Sequence, residues 1–276
     1  MKKNIKMVGL DLDGTLLNSE KKLTDYTRHV LEQAIEQGCV VLISTGRPLC
    51  AVSKEILSVK GMKYALTVNG AKILDLETGE ELYSNPVPFD KAVEILKVCM
   101  EYDVIPELIT GDKIYTKDSC LTHLEDYYSS PSMIEYVLNT RTPVDDVTKM
   151  LYETKQPIDK LRAVFRYPEE RLEARKRLEE MPGLAIANSS SVDLEINVEG
   201  ADKGSGLLRL GELLGIKREE IMACGDSYND FEMLKAVGWS VAMENGEEVV
   251  KEIADYITDT NDNEGVAKAF EKFVLK

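Results

Sequence analysis

The stretch Val8-Gly9-Leu10-Asp11-Leu12-Asp13-Gly14-Thr15-Leu16-Leu17 constrains this chain more than any other. It reads as a buried apolar strand that stops at two acidic residues, followed by a glycine that lets the backbone turn and then by a hydroxyl residue. Packing does not favour paired carboxylates at the end of a core strand. Each buried anion costs several kcal/mol unless a cation or hydrogen-bond donors compensate it. Alternate strand residues point to opposite faces, but a bend at Gly14 lets Asp11 and Asp13 approach one point beyond the strand end. Two carboxylates with nearby backbone carbonyls suit a hard cation such as Mg²⁺. Taken alone, the same residues also read as an Asx-turn that closes a strand.

Ser19 to Gly38 has a helical pattern, with Thr24 placed as the N-cap, Val30, Leu31, Ala34 and Ile35 on one face, and Gly38 ending it. Cys39-Val40-Val41-Leu42-Ile43 is a continuous apolar run, the pattern of a strand buried on both faces. Strand, helix, strand in this order favours a parallel sheet with a right-handed crossover, and such sheets bind ligands beyond the carboxyl ends of their strands. At that end of the second strand stands Ser44-Thr45-Gly46-Arg47-Pro48, ahead of a further helical stretch. Thr45 offers a hydroxyl, Gly46 an unobstructed N–H and Arg47 a guanidinium, a set suited to phosphate oxygens. The same five residues also read as a helix cap with proline in the first turn. Tyr64 to Val68 makes a third strand ended by Asn69-Gly70, which reads as a plain turn, and a β-hairpin follows over 73–83.

From about Val87 the pattern changes. Phe89 to Tyr102 is an amphipathic helix, 104–109 and 113–116 are short strands, and 118–129 is mixed and rich in tyrosine. The stretch around Pro131 and Pro143 reads as a loop, 161–165 as a strand, Pro168 to Met181 as a charged helix, and 184–188 and 192–198 as two more strands. This self-contained α+β pattern is an insertion, because an α/β pattern resumes after it. The expected domains are a parallel-sheet core over 1–83 and 190–276 and an inserted domain over 84–189.

The resumption begins at Gly200-Ala201-Asp202-Lys203-Gly204 and leads into a helix from Ser205 to Leu214. A lysine at a helix start meets the positive end of the helix dipole, a mismatch that points to an anion, although a surface lysine would look the same. Ile221 to Cys224 is a strand that stops at Gly225-Asp226-Ser227-Tyr228-Asn229-Asp230. Asp226 is placed to complete the cation site. Asp230 would hold Lys203, hold a metal-bound water or cap the next helix.

Composition narrows the partners. With 34 basic and 49 acidic residues the chain carries a net charge of −15, a field that repels nucleic acid and anionic membrane surfaces. A phosphorylated small molecule would then need locally placed cations. The five cysteines are scattered and lack Cys-x-x-Cys spacing, which indicates neither a zinc site nor a disulfide framework and fits a reducing cytoplasm. The basic start from Met1 to Lys6 is followed by a short apolar run broken at Asp11, unlike a signal-peptide core. No stretch approaches the ~20 apolar residues of a membrane span.

Taken together, Asp11-x-Asp13-Gly14-Thr15-Leu16-Leu17, Ser44-Thr45-Gly46-Arg47, Lys203-Gly204 and Gly225-Asp226-x-x-Asn229-Asp230 resemble, in order and spacing, the four motifs of the haloacid dehalogenase superfamily. The insertion looks like the α/β cap (type IIB) of its Cof-type branch, and the tail from Ser240 to Val266 is also similar. Within that branch the pattern is most like bacterial sugar phosphatases. The resemblance implies a Rossmann-like α/β core with an inserted α+β cap, Mg²⁺, and hydrolysis of a small phosphorylated metabolite, a sugar phosphate foremost. It makes Asp11 the nucleophile that forms an aspartyl-phosphate, and Asp13 the general acid and base. The Asp13 backbone carbonyl and the Asp11 and Asp226 side chains would hold the metal. Thr45, Gly46, Lys203 and Asn229 would hold the phosphoryl oxygens and Arg47 the outer part of the substrate. A sugar phosphomutase or other phosphotransferase would use the same motifs. A non-catalytic phosphosugar-binding regulator is a third reading, disfavoured because a binder has no need of Asp13. The insertion is expected to act as a lid that selects the substrate and excludes water, its polar segment Asp118 to Ser130 serving either substrate contact or internal packing.

Overall fold

The computed structural model describes residues 4–276, which divide into two compact units. Residues up to Arg47, Val52–Ser84 and Ala201–Lys276 form the first, and Asn85–Gly200 with Pro48–Ala51 forms the second.

The chain begins with β1 (Met7–Leu10), α1 (Asp25–Glu36), β2 (Val40–Ser44), a short α2 (Lys54–Leu57), β3 (Tyr64–Thr67), β4 (Lys72–Asp75) and β5 (Glu81–Ser84). All four residues of β1 are buried, as an apolar strand in mid-sheet requires. Helix α1 starts where Thr24 accepts a hydrogen bond from Thr27 N at 3.1 Å and buries Val30, Leu31 and Ala34. The expected helix after Pro48 shrinks to a 3₁₀ turn over Leu49–Ala51 and the four residues of α2.

The second unit continues with α3 (Phe89–Cys99), β6 (Val104–Thr110), β7 (Lys113–Lys117), α4 (Pro131–Thr140), β8 (Arg141–Val144), α5 (Val147–Thr154), β9 (Lys160–Phe165), α6 (Pro168–Glu179), β10 (Leu184–Ala187) and β11 (Asp193–Val198). Among the described residues its sheet has six strands in the order β10-β11-β9-β6-β7-β8, antiparallel except for the β7–β8 pair. Strand alternation gives the sheet two unlike faces. Leu108, Leu161, Phe165 and Ile196 join the core built with α3, α5 and α6. Glu107, Arg162, Asp193 and Glu195 point the other way, beside a smaller cluster of Ile105, Leu124, Tyr128, Val137 and Val164.

Two expectations change here. The stretch around Pro131 and Pro143 holds α4, β8 and α5 rather than a loop, because Pro131 occupies the first turn of a helix and Pro143 lies in an edge strand, the two places where proline is tolerated. The insertion also runs past residue 189 to Gly200, because β11 is hydrogen-bonded between β9 and β10.

The first unit resumes with α7 (Lys203–Leu214), β12 (Ile221–Gly225), α8 (Phe231–Ala236), β13 (Trp239–Ala242), α9 (Glu248–Ile253), β14 (Tyr256–Ile257) and α10 (Gly265–Phe273). Helix α7 opens two residues earlier than expected, at Lys203, with Asp202 as its cap. Among the described residues the sheet has eight strands in the order β14-β13-β12-β1-β2-β3-β4-β5. From β14 to β3 they are parallel, and β4 and β5 add an antiparallel edge. Met7, Leu42, Leu66, Leu207, Leu210, Ile221 and Met233 form one core between the sheet and α7 and α8. The fold is thus an α/β fold with a parallel-sheet core.

Candidate active site

Strand β1 lies between β12 and β2, with Leu10 opposite both Cys224 and Ile43. Three neighbouring parallel strands therefore end side by side, and the residues beyond them are Asp11, Thr45 and Asp226. Asp11 N donates to Cys224 O at 3.1 Å, which sets the carboxylate at the strand end. The chain then turns at Gly14, whose φ is +85° and where an added Cβ would lie 2.4 Å from Asp226 Oδ2. A side chain there would be strained and would collide with the acid, so the position requires glycine.

Lys203 occupies the centre. Its side chain is fully buried, and Nζ lies 2.6 Å from both Asp11 Oδ1 and Asp230 Oδ1 and 3.5 Å from Asn229 Oδ1. The other Asp230 oxygen accepts from Asp226 N at 2.9 Å and Ser227 N at 3.1 Å, which commits both of its oxygens to the protein. Of the alternatives for Asp230, two hold at once: it pairs with Lys203, and by accepting from Ser227 N it caps the helical turn that follows. Helix α7 can bring the lysine this close because Gly70, φ +85°, packs against the Asp202 carbonyl, where a Cβ would come within 2.1 Å.

Thr45 is buried, its N–H donating to Leu66 O at 2.9 Å and its carbonyl accepting from Asn69 N at 3.0 Å. Asn69-Gly70 is more than a plain turn: Val68 and Asn69 both adopt left-handed φ values, 55° and 57°, an outlying conformation for a β-branched valine. That turn ties the end of β3 to the Thr45–Arg47 loop. Arg47 reaches Asp13. Its Nε and Nη2 lie 3.0 and 2.5 Å from Asp13 Oδ2.

The electrostatics of the acids differ. Burial, with Asp230 next, pushes the Asp11 carboxyl well above its ordinary range, and the same two causes raise Asp226 to about 7. For Lys203, burial pulls downward, but Asp11 and Asp230 outweigh it and hold the ammonium above the usual lysine value. Asp13 is the exception: burial would raise it, yet Arg47 and then Lys21 hold it below the ordinary carboxylate value. One oxygen each from Asp11, Asp226 and Asp230 lie within 4.8 Å of one another. With Asp230 occupied by Lys203 and backbone N–H groups, Asp11 and Asp226 are the carboxylates that suit a hard divalent cation. Their raised pKa values mark negative charge that such a cation would relieve.

Four contributors escaped the sequence reading. Thr15 Oγ1 donates to Asp226 Oδ1 at 2.8 Å and Ser227 Oγ to Asn229 Oδ1 at 2.8 Å, orienting both acceptors. Asn245 Nδ2 donates to Gly14 O at 2.8 Å, and Lys21 Nζ lies 2.7 Å from Asp13 Oδ1. The two hydroxyls stand within the motifs and were open to inspection, whereas Asn245 and Lys21 lie outside them.

The sequence profile of the haloacid dehalogenase-like hydrolases matches residues 8–270. Over 273 residues the chain is 32% identical to the 5-amino-6-(5-phospho-D-ribitylamino)uracil phosphatase YcsE of Bacillus subtilis, covering 99% of this chain and 97% of that protein. It is 35% identical to the phosphatase YwpJ of Bacillus subtilis, covering 95% and 98% of the two chains. A solved haloacid dehalogenase-like hydrolase from B. subtilis superposes with a TM-score of 0.86 at 32% identity, covering 97% of this chain and 99% of that one. The chain belongs to the haloacid dehalogenase-like hydrolases and is one of the family's phosphatases, acting on small phosphate esters.

Proposed function

We propose that this phosphatase is Mg²⁺-dependent, that its substrate is a sugar phosphate or a similar polyol phosphate, and that the reaction runs through an aspartyl-phosphate on Asp11. The observation that carries the reading is the Lys203 ammonium, buried 2.6 Å from both Asp11 and Asp230 beside the carboxylate of Asp226. A nucleophilic carboxylate facing a phosphoryl dianion needs fixed positive charge, and a preorganised ammonium in a water-poor site supplies it. Asp11 attacks phosphorus, and the oxygen of the departing alcohol takes a proton from Asp13, which can carry one once Arg47, the main charge holding it low, has left it for the substrate. Asp13 then removes a proton from water, which attacks the same phosphorus, and inorganic phosphate and free Asp11 result. Thr45, the Gly46 N–H, Lys203 and Asn229 hold the phosphoryl oxygens, and Arg47 turns from Asp13 toward the substrate. Mg²⁺, held by Asp11, Asp226 and the Asp13 carbonyl, would add positive charge at the phosphoryl group.

The relative whose substrate name carries a 5-phospho-D-ribityl group supports an ester of a hydroxyl-rich chain. The free state of Cys39, Cys50, Cys99, Cys120 and Cys224 supports a reducing compartment, the cytoplasm. No helix among the described residues is long and apolar enough to cross a membrane.

The test is phosphate release from a panel of phosphate esters, with Mg²⁺ and after chelation, by the native protein and Asp11→Asn. We expect Mg²⁺-dependent release, none from Asp11→Asn, and labelling of Asp11 by a fluoride-based phosphoryl mimic only in the native protein. Full activity after complete metal removal, or normal turnover by Asp11→Asn, would rule the reading out. An isomeric ester formed without free phosphate would identify a mutase instead.

A further inference from the structure

We propose that Lys21 is a positioning residue that orients the Asp13 carboxyl for proton transfer to the leaving group. The proposal rests on the reading of Asp13 as general acid and base. Both Asp13 oxygens are held by cations, Oδ1 by Lys21 Nζ at 2.7 Å and Oδ2 by Arg47 Nε and Nη2 at 3.0 and 2.5 Å. A carboxyl gripped at both oxygens has a fixed plane, but it cannot also reach a substrate oxygen. One grip must open. Arg47 follows Thr45 and Gly46, the phosphate-oxygen donors, so an arriving phosphoryl dianion competes with Asp13 for its guanidinium. Lys21 stands on a loop that carries none of those donors, and it keeps Oδ1 in place while Oδ2 is released.

That loop is built to present the ammonium. Lys21 has φ +61°, a left-handed conformation uncommon for lysine, and the turn around it is closed by Asn18. Asn18 Oδ1 accepts from Glu20 N at 3.0 Å and Lys22 N at 2.9 Å, and Asn18 O accepts from Lys21 N at 2.8 Å. The turn is itself anchored: Ser19 N and Oγ donate to Asp262 at 2.7 and 2.6 Å, and Asn261 Nδ2 donates to Leu17 O at 2.8 Å. The next residue, Lys22, turns outward to Glu20 at 2.8 Å. Of two adjacent lysines, the backbone thus aims one at the acid. The Lys21 side chain is 57% exposed and that of Asp13 38%, so the pair adds little to stability, and its value lies in orientation.

The test uses leaving-group basicity. For phenyl phosphate and 4-nitrophenyl phosphate, kcat/KM covers the steps up to departure of the phenol, and only the more basic phenolate needs much help from an acid. With the full-length, Mg²⁺-loaded protein, Lys21→Ala should lower kcat/KM for phenyl phosphate about tenfold or more, and for 4-nitrophenyl phosphate less than about threefold. Lys21→Arg should restore most of the loss, and the melting temperature should not move. Asp13→Asn should show the same dependence on the leaving group, more strongly. Equal losses on both esters, or none, for Lys21→Ala beside a leaving-group-dependent Asp13→Asn would overturn the role of Lys21 alone. No such dependence in Asp13→Asn would overturn the acid role of Asp13, and this proposal with it.

Discussion

Lys203 is the residue on which the site depends most. It stands in the first turn of α7, where the helix dipole disfavours a cation, and the carboxylates of Asp11 and Asp230 reverse that preference. Because their charges hold its pKa above the ordinary value of 10.5, the contribution of the ammonium is complete below that value and is lost as the pH rises through the lifted one. Lys203→Ala would leave two buried carboxylates facing each other without their cation. We expect it to destabilise the metal-free protein by about 3–5 kcal/mol in urea titrations, and added Mg²⁺ to recover part of the loss. Turnover should fall by about 10² or more, and Lys203→Arg should also fail, since a planar guanidinium does not fit between acids spaced for a point charge. Near-normal kcat/KM in Lys203→Ala would remove it from the chemistry. The sequence exposed this residue through its misplaced charge, whereas Lys21 gave no such signal, because its role depends on a left-handed turn that no motif encodes.

At the scale of elements, legibility followed how local the cause of each element was. Strands β1, β2, β3 and β12 are continuous apolar runs buried in a parallel sheet, and the acids and Thr45 that end them could be placed before any coordinates were known. Helix α4 and strand β8 were hidden because proline marks loops as well as first turns and edge strands. The boundary at 189 cut strand β11 from the pattern it shares with β9 and β10, because Asp193, Glu195 and Asn197 interrupt its apolar run, yet all three are buried. Asp193 and Glu195 belong to a charged layer across the second sheet. Glu107 on β6 lies opposite Arg162 on β9, accepting from its Nη1 at 3.1 Å and from Arg141 Nε and Nη2 at 2.7 and 2.9 Å, while Arg162 Nε reaches Asp193 Oδ2 at 2.9 Å. Removing one partner from such a network leaves buried charge uncompensated, so Glu107→Ala should destabilise this unit by about 3–5 kcal/mol. Burial alone would raise the Glu107 pKa, but Arg141 and Arg162 hold it below its ordinary value of 4.5. Its contribution is therefore complete above pH 4.5 and is lost as the pH falls through the lowered value. Circular dichroism melts from pH 6 down to pH 3 should show a steeper acid loss in the native protein than in Glu107→Gln. The one tryptophan, Trp239, lies in the first unit, so its fluorescence should report a transition less affected by the Glu107 substitutions. Equal acid sensitivity of native protein and Glu107→Gln would contradict the pKa assignment.

At the scale of the whole molecule, the proposed chemistry occupies only part of the chain. Every residue assigned to the proposed chemistry lies in the first unit. We propose that the insertion recognises the alcohol part of the substrate. Its tyrosine-rich segment is partly excluded from the role: Tyr128 is buried within a core cluster, and Tyr127 donates its hydroxyl to Asp103 at 2.5 Å, so both serve internal packing. Its ends lie close together, with Asn85 Nδ2 donating to Glu199 O at 3.3 Å, so a short glycine-serine linker can replace 85–200 without stretching the first unit. The shortened protein, with folding confirmed by Trp239 fluorescence, should still hydrolyse 4-nitrophenyl phosphate, whose leaving group departs readily. It should lose the ranking of larger sugar and polyol phosphates shown by the full chain, with kcat/KM values that converge across the panel. An unchanged order of preference among the esters would place selection in the first unit. Complete inactivity of a folded variant toward 4-nitrophenyl phosphate would mean that the insertion takes part in the chemistry itself.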